Sequence, residues 1–252
     1  MSSPMPYNYL RLSVTDQCDF NCFYCQPSQR RVFLSAEALL TRPEITRLVR
    51  VFVALGVRHV RITGGEPLVR SDFSALLNDV AALQGVQRVS ITTNGHKLLD
   101  HWQALQARTH AINVSLNTLR RERFTKLTGC DAFAQVKNGI VTAAQAHGPR
   151  VKLNVILIRG FNDDEVRDFV AFARRYNIDV RFIEYFATSS RSAIFSGHVV
   201  PSQEVRSLIK ERFGTLEPLG RDRLAGPAEY YRLSDASFRI GFISSVTEFF
   251  CD

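Results

Sequence analysis

Three cysteines near the N-terminus carry the clearest chemical signal in the sequence. Cys18, Cys22 and Cys25 form a CxxxCxxC motif directly after the first predicted strand. Structural zinc takes four ligands from paired CxxC or Cys/His sets, and no second set lies near these three. Three thiolates can instead hold an iron–sulfur cubane and leave its fourth iron open for another ligand. Incidental cysteines, or a zinc site completed from elsewhere in the chain, are the alternatives.

The remaining cysteines and the histidines offer no second set of metal ligands. Cys130 lies in a predicted loop, where we interpret it as a neutral occupant, and the six histidines are scattered along the chain. Three of the five cysteines are clustered. In a reducing compartment this clustering favours metal ligation or redox chemistry over disulfides.

Short β-rich runs alternate with amphipathic stretches through residues 9–184. The clearest helix begins at Thr41, where Glu44 completes a capping box and Pro43 occupies the first turn, and it ends at Gly56. Strands that alternate with helices predict a parallel sheet, either open or curled into a barrel. Strands are predicted at 9–14, 59–63, 88–92, 111–115, 151–157 and 179–184, and further helices at 71–83, 98–106, 133–146 and 163–176.

Side chains in these predicted strands alternate between apolar and polar. A parallel strand covered on both faces should be apolar at nearly every position. Here one face carries Arg11, Arg61, Lys152 and Arg181 together with hydroxyls and amides. Burying that many cations costs much free energy unless they line a polar cavity that holds an anion. A half-solvated sheet is the alternative, but helices between all the strands would cover only one face, which favours a sheet curved around a central site.

The pattern of elements changes after residue 184. A polar stretch at 187–196 precedes a predicted helix at 202–213, and β-rich runs follow at 229–233 and 238–243. We interpret this segment as a meander or flap attached to the barrel. The predicted organisation is a partial barrel over residues 1–186 and a C-terminal β extension over residues 187–252.

The composition is that of a globular protein with an excess of basic residues. A chain of 252 residues can bury its own core, and 45% hydrophobic with 22% charged residues excludes collagen-like, coiled-coil and disordered classes. The net charge of +8 favours an anionic partner. Nucleic acid is not expected, because no basic stripe studded with aromatic residues is found. Without a secretion signal or a run of about 20 apolar residues, we expect a cytoplasmic protein without membrane contact.

The segment 9–25 resembles the signature of radical S-adenosylmethionine (SAM) enzymes. More narrowly, it resembles the GTP 3′,8-cyclase family, which begins molybdenum cofactor biosynthesis. The resemblance continues in order through nearly the whole chain. Its further motifs are RITGGEP at 61–67, TTNG at 92–95, NVSL at 113–116, KLN at 152–154, RFIE at 181–184, GPAEYY at 226–231 and GFISS at 241–245.

The resemblance implies an α/β fold, a partial (βα)6 TIM-like radical SAM barrel with one 4Fe-4S cluster at its mouth. Cys18, Cys22 and Cys25 would bind three irons, and the amino and carboxylate groups of SAM would chelate the fourth. Contacts to SAM are implied at Tyr24, Gly65, Ser115 and Phe186.

The resemblance also implies a reaction in which the cofactor, not a catalytic side chain, delivers the radical. The 5′-deoxyadenosyl radical removes hydrogen from C3′ of GTP, and the sugar radical attacks C8 to give 3′,8-cyclo-7,8-dihydro-GTP. All the implied nucleotide contacts belong to the polar strand face, and Arg and Lys are donors that suit a triphosphate. These contacts are Arg11, Arg61, Thr92, Lys152 and Arg181.

The sequence departs from the family pattern at Cys251 and at Phe186. The family carries a second cluster on three C-terminal cysteines, and Cys251 matches only the first of them. A second cluster is therefore not expected in this chain alone, and Cys251 is interpreted as a remnant of that site. A fragment of a longer protein, a part supplied by another chain and a single-cluster paralogue are the open explanations. The family usually has Met where Phe186 stands, and an apolar Phe could pack against the cofactor in its place.

Two alternative functions stay open beside the cyclase. One is a single-cluster radical SAM paralogue that acts on another nucleotide or nucleoside, and the other is a non-catalytic iron–sulfur or nucleic-acid-binding protein. The cations of the polar strand face favour a phosphorylated substrate for either enzyme. The expected partners are GTP or another phosphorylated nucleoside, an electron donor such as flavodoxin or ferredoxin, and a second copy in a homodimer.

Overall fold

A nine-stranded mixed sheet forms the frame of the structure. The computed structural model describes residues 8–25, 33–186, 197–221 and 226–248. The strand order is β1-β2-β3-β4-β5-β6-β9-β8-β7, so β1 and β7 are the edges and the described part of the sheet does not close into a barrel. The strands are β1 (Tyr9–Ser13), β2 (His59–Thr63), β3 (Arg88–Thr93), β4 (Ala111–Ser115), β5 (Arg150–Leu157), β6 (Asp179–Glu184), β7 (Leu216–Arg221), β8 (Glu229–Leu233) and β9 (Ile240–Ile243).

Helices connect the parallel strands. The first of them begins with the predicted capping box, in which Glu44 accepts a 2.8 Å hydrogen bond from the amide of Thr41. The helices are α1 (Arg42–Ala54), α2 (Phe73–Ala81), α3 (Trp102–Arg108), α4 (Arg121–Thr128), α5 (Phe133–Gln145), α6 (Val166–Tyr176) and α7 (Ser202–Phe213).

The helices pack against the apolar face of the first six strands, which pair in parallel and in chain order. Val60 and Ile62 of β2 are fully buried, and they belong to the same core cluster as Leu76 of α2 and Phe169 of α6. The mixed α/β fold with a parallel sheet is thus as predicted. Within the described residues, no helix has the length and apolar character needed to cross a membrane.

The C-terminal strands form a meander that continues the main sheet. β9 pairs in parallel with β6, β8 pairs antiparallel with β9, and β7 pairs antiparallel with β8. β7 was not among the predicted strands, since Pro218 and Gly220 interrupt its β pattern and the ladder shifts register between them. The segment therefore continues the nine-stranded sheet as a meander.

Glu184 fastens this C-terminal segment to the end of β6. Its buried carboxylate accepts hydrogen bonds from the backbone amides of Ser202, Val246 and Thr247 at 2.8, 2.9 and 2.9 Å. Burial would raise the pKa of Glu184, but these bonds and one from the Thr247 hydroxyl hold it below its ordinary value. The carboxylate thus stays charged and ties α7 and the residues after β9 to the end of β6.

Candidate active site

An open cavity lies at the carboxyl ends of the parallel strands, the end at which α/β sheets bind their ligands. Its volume is about 670 Å³ with its mouth included. Loops that follow β1, β2, β3 and β4 meet around it. The lining includes Cys18, Cys22, Tyr24, Cys25, Gly65, Glu66, Thr92, Asn94, Ser115 and Asn117.

The three thiols of the CxxxCxxC motif all face this cavity. Cys18 and Cys22 are partly buried, Cys25 is exposed, and none forms a disulfide. The amide of Cys25 donates a 3.1 Å hydrogen bond to the carbonyl of Cys22, which turns the second and third thiols toward the same space. The side-chain amide of Asn94 lies 3.9 Å from the Cys18 sulfur, within reach for donation to sulfur.

This thiol set fits an iron–sulfur cubane better than a single metal ion. Among the described residues, no group of three His, Cys, Asp or Glu side chains could hold one ion. A cubane makes a different demand, because each thiolate binds its own iron and the sulfurs stand farther apart than around one ion. Three cysteines on one cavity wall meet that demand and leave one corner of the cubane for another ligand.

Gly64 and Gly65 let the loop after β2 pass close to the cysteine loop. A Cβ atom on Gly65 would lie 2.2 Å from the carbonyl oxygen of Gln17, and one on Gly64 would lie 2.6 Å from that of Thr15. The Gly65 amide donates a 2.7 Å hydrogen bond to the Thr15 carbonyl. The backbone of the two loops therefore approaches so closely, at Thr15 and at Gln17 just before Cys18, that only glycine fits at both positions.

Glu66 holds two of the cavity loops together from beneath. Its buried carboxylate accepts hydrogen bonds from the Thr93 hydroxyl at 2.7 Å, the Asn94 amide at 2.5 Å and the Leu68 amide at 3.1 Å. Burial raises the pKa of Glu66 to about 7, although these bonds oppose the rise. The carboxyl group positions the TTNG turn that carries Asn94.

Tyr24 lies between the second and third cysteines and is fixed by Asn117. The Asn117 side chain donates a 2.8 Å hydrogen bond to the Tyr24 hydroxyl and accepts one of 2.9 Å from the Ile156 amide. Burial raises the pKa of Tyr24 well above its ordinary value, and the nearby Cys22 and Cys25 raise it further. Tyr24 therefore stays a neutral hydroxyl at the cavity wall.

The polar face of the strands begins two positions before the strand residues that line this cavity. Thr63 and Ser115 line the cavity, while Arg61 and Asn113, two positions earlier on β2 and β4, point to the same side. Arg181 donates a 2.5 Å hydrogen bond to the side-chain oxygen of Asn113, and Arg61 Nε lies 3.3 Å from the Ser90 hydroxyl. These groups are buried, with Arg181 only 2% exposed.

Three cations share this buried face. Burial lowers the pKa of Lys152 to about 8, and the neighbouring Arg181 lowers it further. Burial likewise lowers the pKa of Arg61, with Arg181 acting in the same direction. The nearest described carboxylate on this face, Asp179, is already paired with Arg150 and Arg239. Charge repulsion is therefore only partly offset within the described residues, which favours binding of an anion.

The sequence-predicted residues do not all lie equally deep. Thr92, Gly65 and Ser115 line the cavity with the cysteines and Tyr24. Arg61, Lys152 and Arg181 are buried below it, whereas Arg11 is exposed on the edge strand of the same face. Phe186 is 60% exposed and does not line the cavity. Cys251 lies outside the described residues, and Cys130 is partly buried away from the cavity lining.

Some polar residues that the fold brings to the site were not predicted, among them Glu66, Asn94, Asn117 and Tyr230. Asn94 and Asn117 follow predicted strands, and an amide directly after a parallel strand is a signal that could have found them. Tyr230 could not be found this way, because it reaches the polar face only through the pairing of β8 with β9.

Two protein-family models match the chain. The Radical SAM superfamily model matches residues 12–173, and the Molybdenum Cofactor Synthesis C model matches residues 178–252. The chain is 40% identical over 245 residues to the GTP 3′,8-cyclase of Pelotomaculum thermopropionicum, covering 97% of this chain and 75% of that protein. It is 41% identical over 248 residues to GTP 3′,8-cyclase 2 of Pseudomonas aeruginosa, covering 96% and 73% respectively.

Solved structures of lower identity share the fold. Streptococcus suis SuiB bound to S-adenosylmethionine superposes with a TM-score of 0.69 at 18% identity, covering 93% of this chain and 50% of SuiB. TYW1 with a bound lysine-pyruvate adduct superposes with a TM-score of 0.64 at 15% identity, covering 94% of this chain and 82% of TYW1. At these identities the likeness concerns the fold alone.

Proposed function

The chain belongs to the radical SAM superfamily and, within it, to the GTP 3′,8-cyclase family, and from this membership we propose that it converts GTP to 3′,8-cyclo-7,8-dihydro-GTP in molybdenum cofactor biosynthesis. A 4Fe-4S cluster and SAM are the cofactors of an enzyme of this kind. When bound, they supply the radical that starts the reaction. The protein's own residues then have to bind the nucleotide, orient it and exclude water.

The observation that carries this proposal is the short distance between the cavity that the three thiols line and the buried cations. A strand advances about 3.3 Å per residue, so Arg61 lies about 7 Å along β2 from Thr63, which lines the thiol cavity. A nucleoside triphosphate is long enough to span this distance, with its sugar toward the cavity and its phosphates among the cations. This arrangement supports a phosphorylated nucleoside as the substrate.

Each residue of the site has a role in this proposal. The thiolates of Cys18, Cys22 and Cys25 hold the cluster. The residues that contact SAM are Tyr24, Gly65, Ser115 and the apolar Phe186, whose ring has to turn inward from its exposed position. Phosphate oxygens accept hydrogen bonds from the forked donors of Arg61 and Arg181 and from the ammonium of Lys152, with Thr92 and Arg11 at the flanks of the nucleotide.

The direct test is product formation by protein reconstituted with iron and sulfide under anaerobic conditions. We expect GTP, SAM and a chemical reductant to release 5′-deoxyadenosine and a cyclised product with the mass of GTP. ATP, CTP and UTP serve as comparators. Absence of SAM cleavage would refute the proposed enzymatic activity. Product from another nucleotide but none from GTP would indicate the single-cluster paralogue instead.

Lys152 predicts a pH dependence of nucleotide binding. Its lowered pKa of about 8 means that it loses its charge as the pH rises through that value in the empty site. A bound phosphate favours the charged form and raises this pKa, so affinity falls by up to about tenfold per pH unit above 8. Titration calorimetry with GTP between about pH 7 and pH 9 measures this slope. The charged groups that act on Lys152 are Arg61, Asp179, Arg181 and Arg239.

The matched control for this prediction is Lys152→Arg. A guanidinium stays charged over the whole interval, so the variant should bind GTP with an affinity that no longer falls above about pH 8. If Lys152→Arg keeps the wild-type slope, another group causes the pH dependence.

The reaction also needs two electrons per product: one cleaves SAM, and the second, with a proton, reduces the cyclised nucleotide radical to a product with the mass of GTP. We infer a small reduced protein such as flavodoxin or ferredoxin as the source of both, because a basic chain of net charge +8 attracts acidic partners. A homodimer stays a prediction of the family resemblance. The electron donor is tested by measuring electron transfer from each reduced protein at low and high salt, since added salt should slow transfer from an acidic partner. The homodimer is tested by light scattering of the reconstituted protein.

A further inference from the structure

Tyr230 occupies a position on the polar face to which the family motifs assign no role. It lies on β8 opposite Gly241 of β9, and Gly241 lies opposite Arg181 of β6. Its side chain is 1% exposed. The pairing of three strands therefore places a buried phenol on the same face as the buried side chain of Arg181.

Gly241 makes this neighbourhood possible. A Cβ atom there would lie 2.8 Å from Arg181 Cγ and 3.1 Å from Tyr230 Cε1. Only a residue without a side chain leaves room for the phenol ring and the arginine stem to approach each other across β9.

Two polar atoms at this place have no hydrogen-bond partner among the described residues. They are the hydroxyl oxygen of Tyr230 and Nε of Arg181. A buried polar group without a partner costs free energy, and such groups are uncommon in native structures. Asn154 Oδ1 on the same face also lacks a partner, but the Tyr230 hydroxyl and Arg181 Nε can both donate, so an acceptor atom of a ligand would satisfy these two.

The charges around Tyr230 specify what kind of ligand this is. The ammonium of Lys152 lies 5.9 Å from the centre of the Tyr230 ring, and the guanidinium of Arg239 lies 4.6 Å from it. Arginine and lysine side chains only donate hydrogen bonds. A ligand atom that satisfies this set must accept several hydrogen bonds and carry negative charge, as a phosphate oxygen does.

We propose that Tyr230 is a substrate-binding residue whose hydroxyl donates a hydrogen bond to a phosphate oxygen of the nucleotide, next to Nε of Arg181. The inference rests on the proposed function, since it places the phosphates of that substrate at β8 and β9. It adds a contact from the C-terminal meander to those of the barrel strands. The meander thus takes part in binding the substrate.

The test compares Tyr230→Phe with the matched control Tyr231→Phe. Tyr231 is the next residue on β8, pairs with Ile240, and donates a 2.9 Å hydrogen bond to Glu229. Each variant loses one hydroxyl and keeps its ring. Binding of GTP, GDP, GMP and guanosine to the reconstituted protein with SAM is measured by calorimetry, and the melting temperature is measured with and without GTP.

We expect Tyr230→Phe to weaken GTP binding about tenfold or more, as for the loss of a hydrogen bond to a charged group. Guanosine binding stays unchanged, and the nucleotide at which the loss disappears identifies the phosphate contacted. Without nucleotide, Tyr230→Phe melts at or above the wild-type temperature, because the lost hydroxyl has no partner to leave behind. Tyr231→Phe keeps wild-type affinity for all four ligands.

Two results would overturn the inference. One is an unchanged affinity for GTP in Tyr230→Phe, and the other is a fall in its nucleotide-free melting temperature, which indicates a structural hydroxyl. Wild-type protein that binds no nucleotide contradicts the proposed function as well. Wild-type protein that binds GTP while Tyr230→Phe binds it equally well contradicts only the role of Tyr230.

Discussion

Replacing Cys18, Cys22 and Cys25 together by alanine is expected to lower bound iron by about four atoms per chain and to abolish SAM cleavage. The reason is that the thiolates on the cavity wall are the only ligands proposed for three of the irons. Iron analysis, the absorbance of the cluster and 5′-deoxyadenosine release measure the effect. The loss should be complete, since no thiolate of the motif remains to hold the cubane.

Cys130→Ala is the control for this prediction. Cys130 is partly buried, and burial raises the pKa of its thiol, which makes it a poor ligand. The Cys130→Ala variant should therefore keep the iron content and SAM cleavage of the wild type. Zinc in the wild-type protein, or full iron retention in the triple variant, would contradict the cluster assignment.

A second large effect is expected from Gly65→Ala. The new methyl group would lie 2.2 Å from the carbonyl oxygen of Gln17 and 2.5 Å from that of Asp16, so the cysteine loop has to move. Overpacking of this kind typically lowers the free energy of unfolding by about 1–3 kcal/mol. Because Gln17 directly precedes Cys18, we also expect poor cluster retention. Denaturant unfolding and iron content after reconstitution measure the two effects.

Gly197→Ala is the matched control for this substitution. A Cβ atom on Gly197 meets no atom of the described residues within 4 Å, so the same methyl group should leave stability and iron content unchanged. If Gly65→Ala folds with wild-type stability and holds its iron, the close approach of the two loops is not needed for cluster binding.

Strand alternation was a better guide to the site than element boundaries were. The parity of β2, β5 and β6 predicted an interior polar face with Arg61, Lys152 and Arg181, and the structure buries all three. Period-two alternation survives small errors in strand ends, because it depends only on which side each residue points to. Helix starts were less well predicted: α3 begins at Trp102 and not near Leu98, since the preceding residues form a turn.

The depth of each residue could not be predicted from alternation. Arg11 has the same parity as Arg61 and pairs directly with it, yet Arg11 is exposed while Arg61 is 8% exposed. The difference arises because β1 is an edge strand with a neighbour on one side only. Strand order is a property of the whole sheet, and local sequence does not specify it.

The sequence alone determined the chemistry, because the CxxxCxxC spacing and the alternation of strands depend on neighbours in the chain. Tertiary structure decided which distant groups meet. It placed β9 beside β6 across about 60 intervening residues and thereby brought Tyr230 against Arg181. It also brought Gly65 against the cysteine loop. Such contacts depend on long-range strand pairing and on available space, neither of which has a local periodic signal.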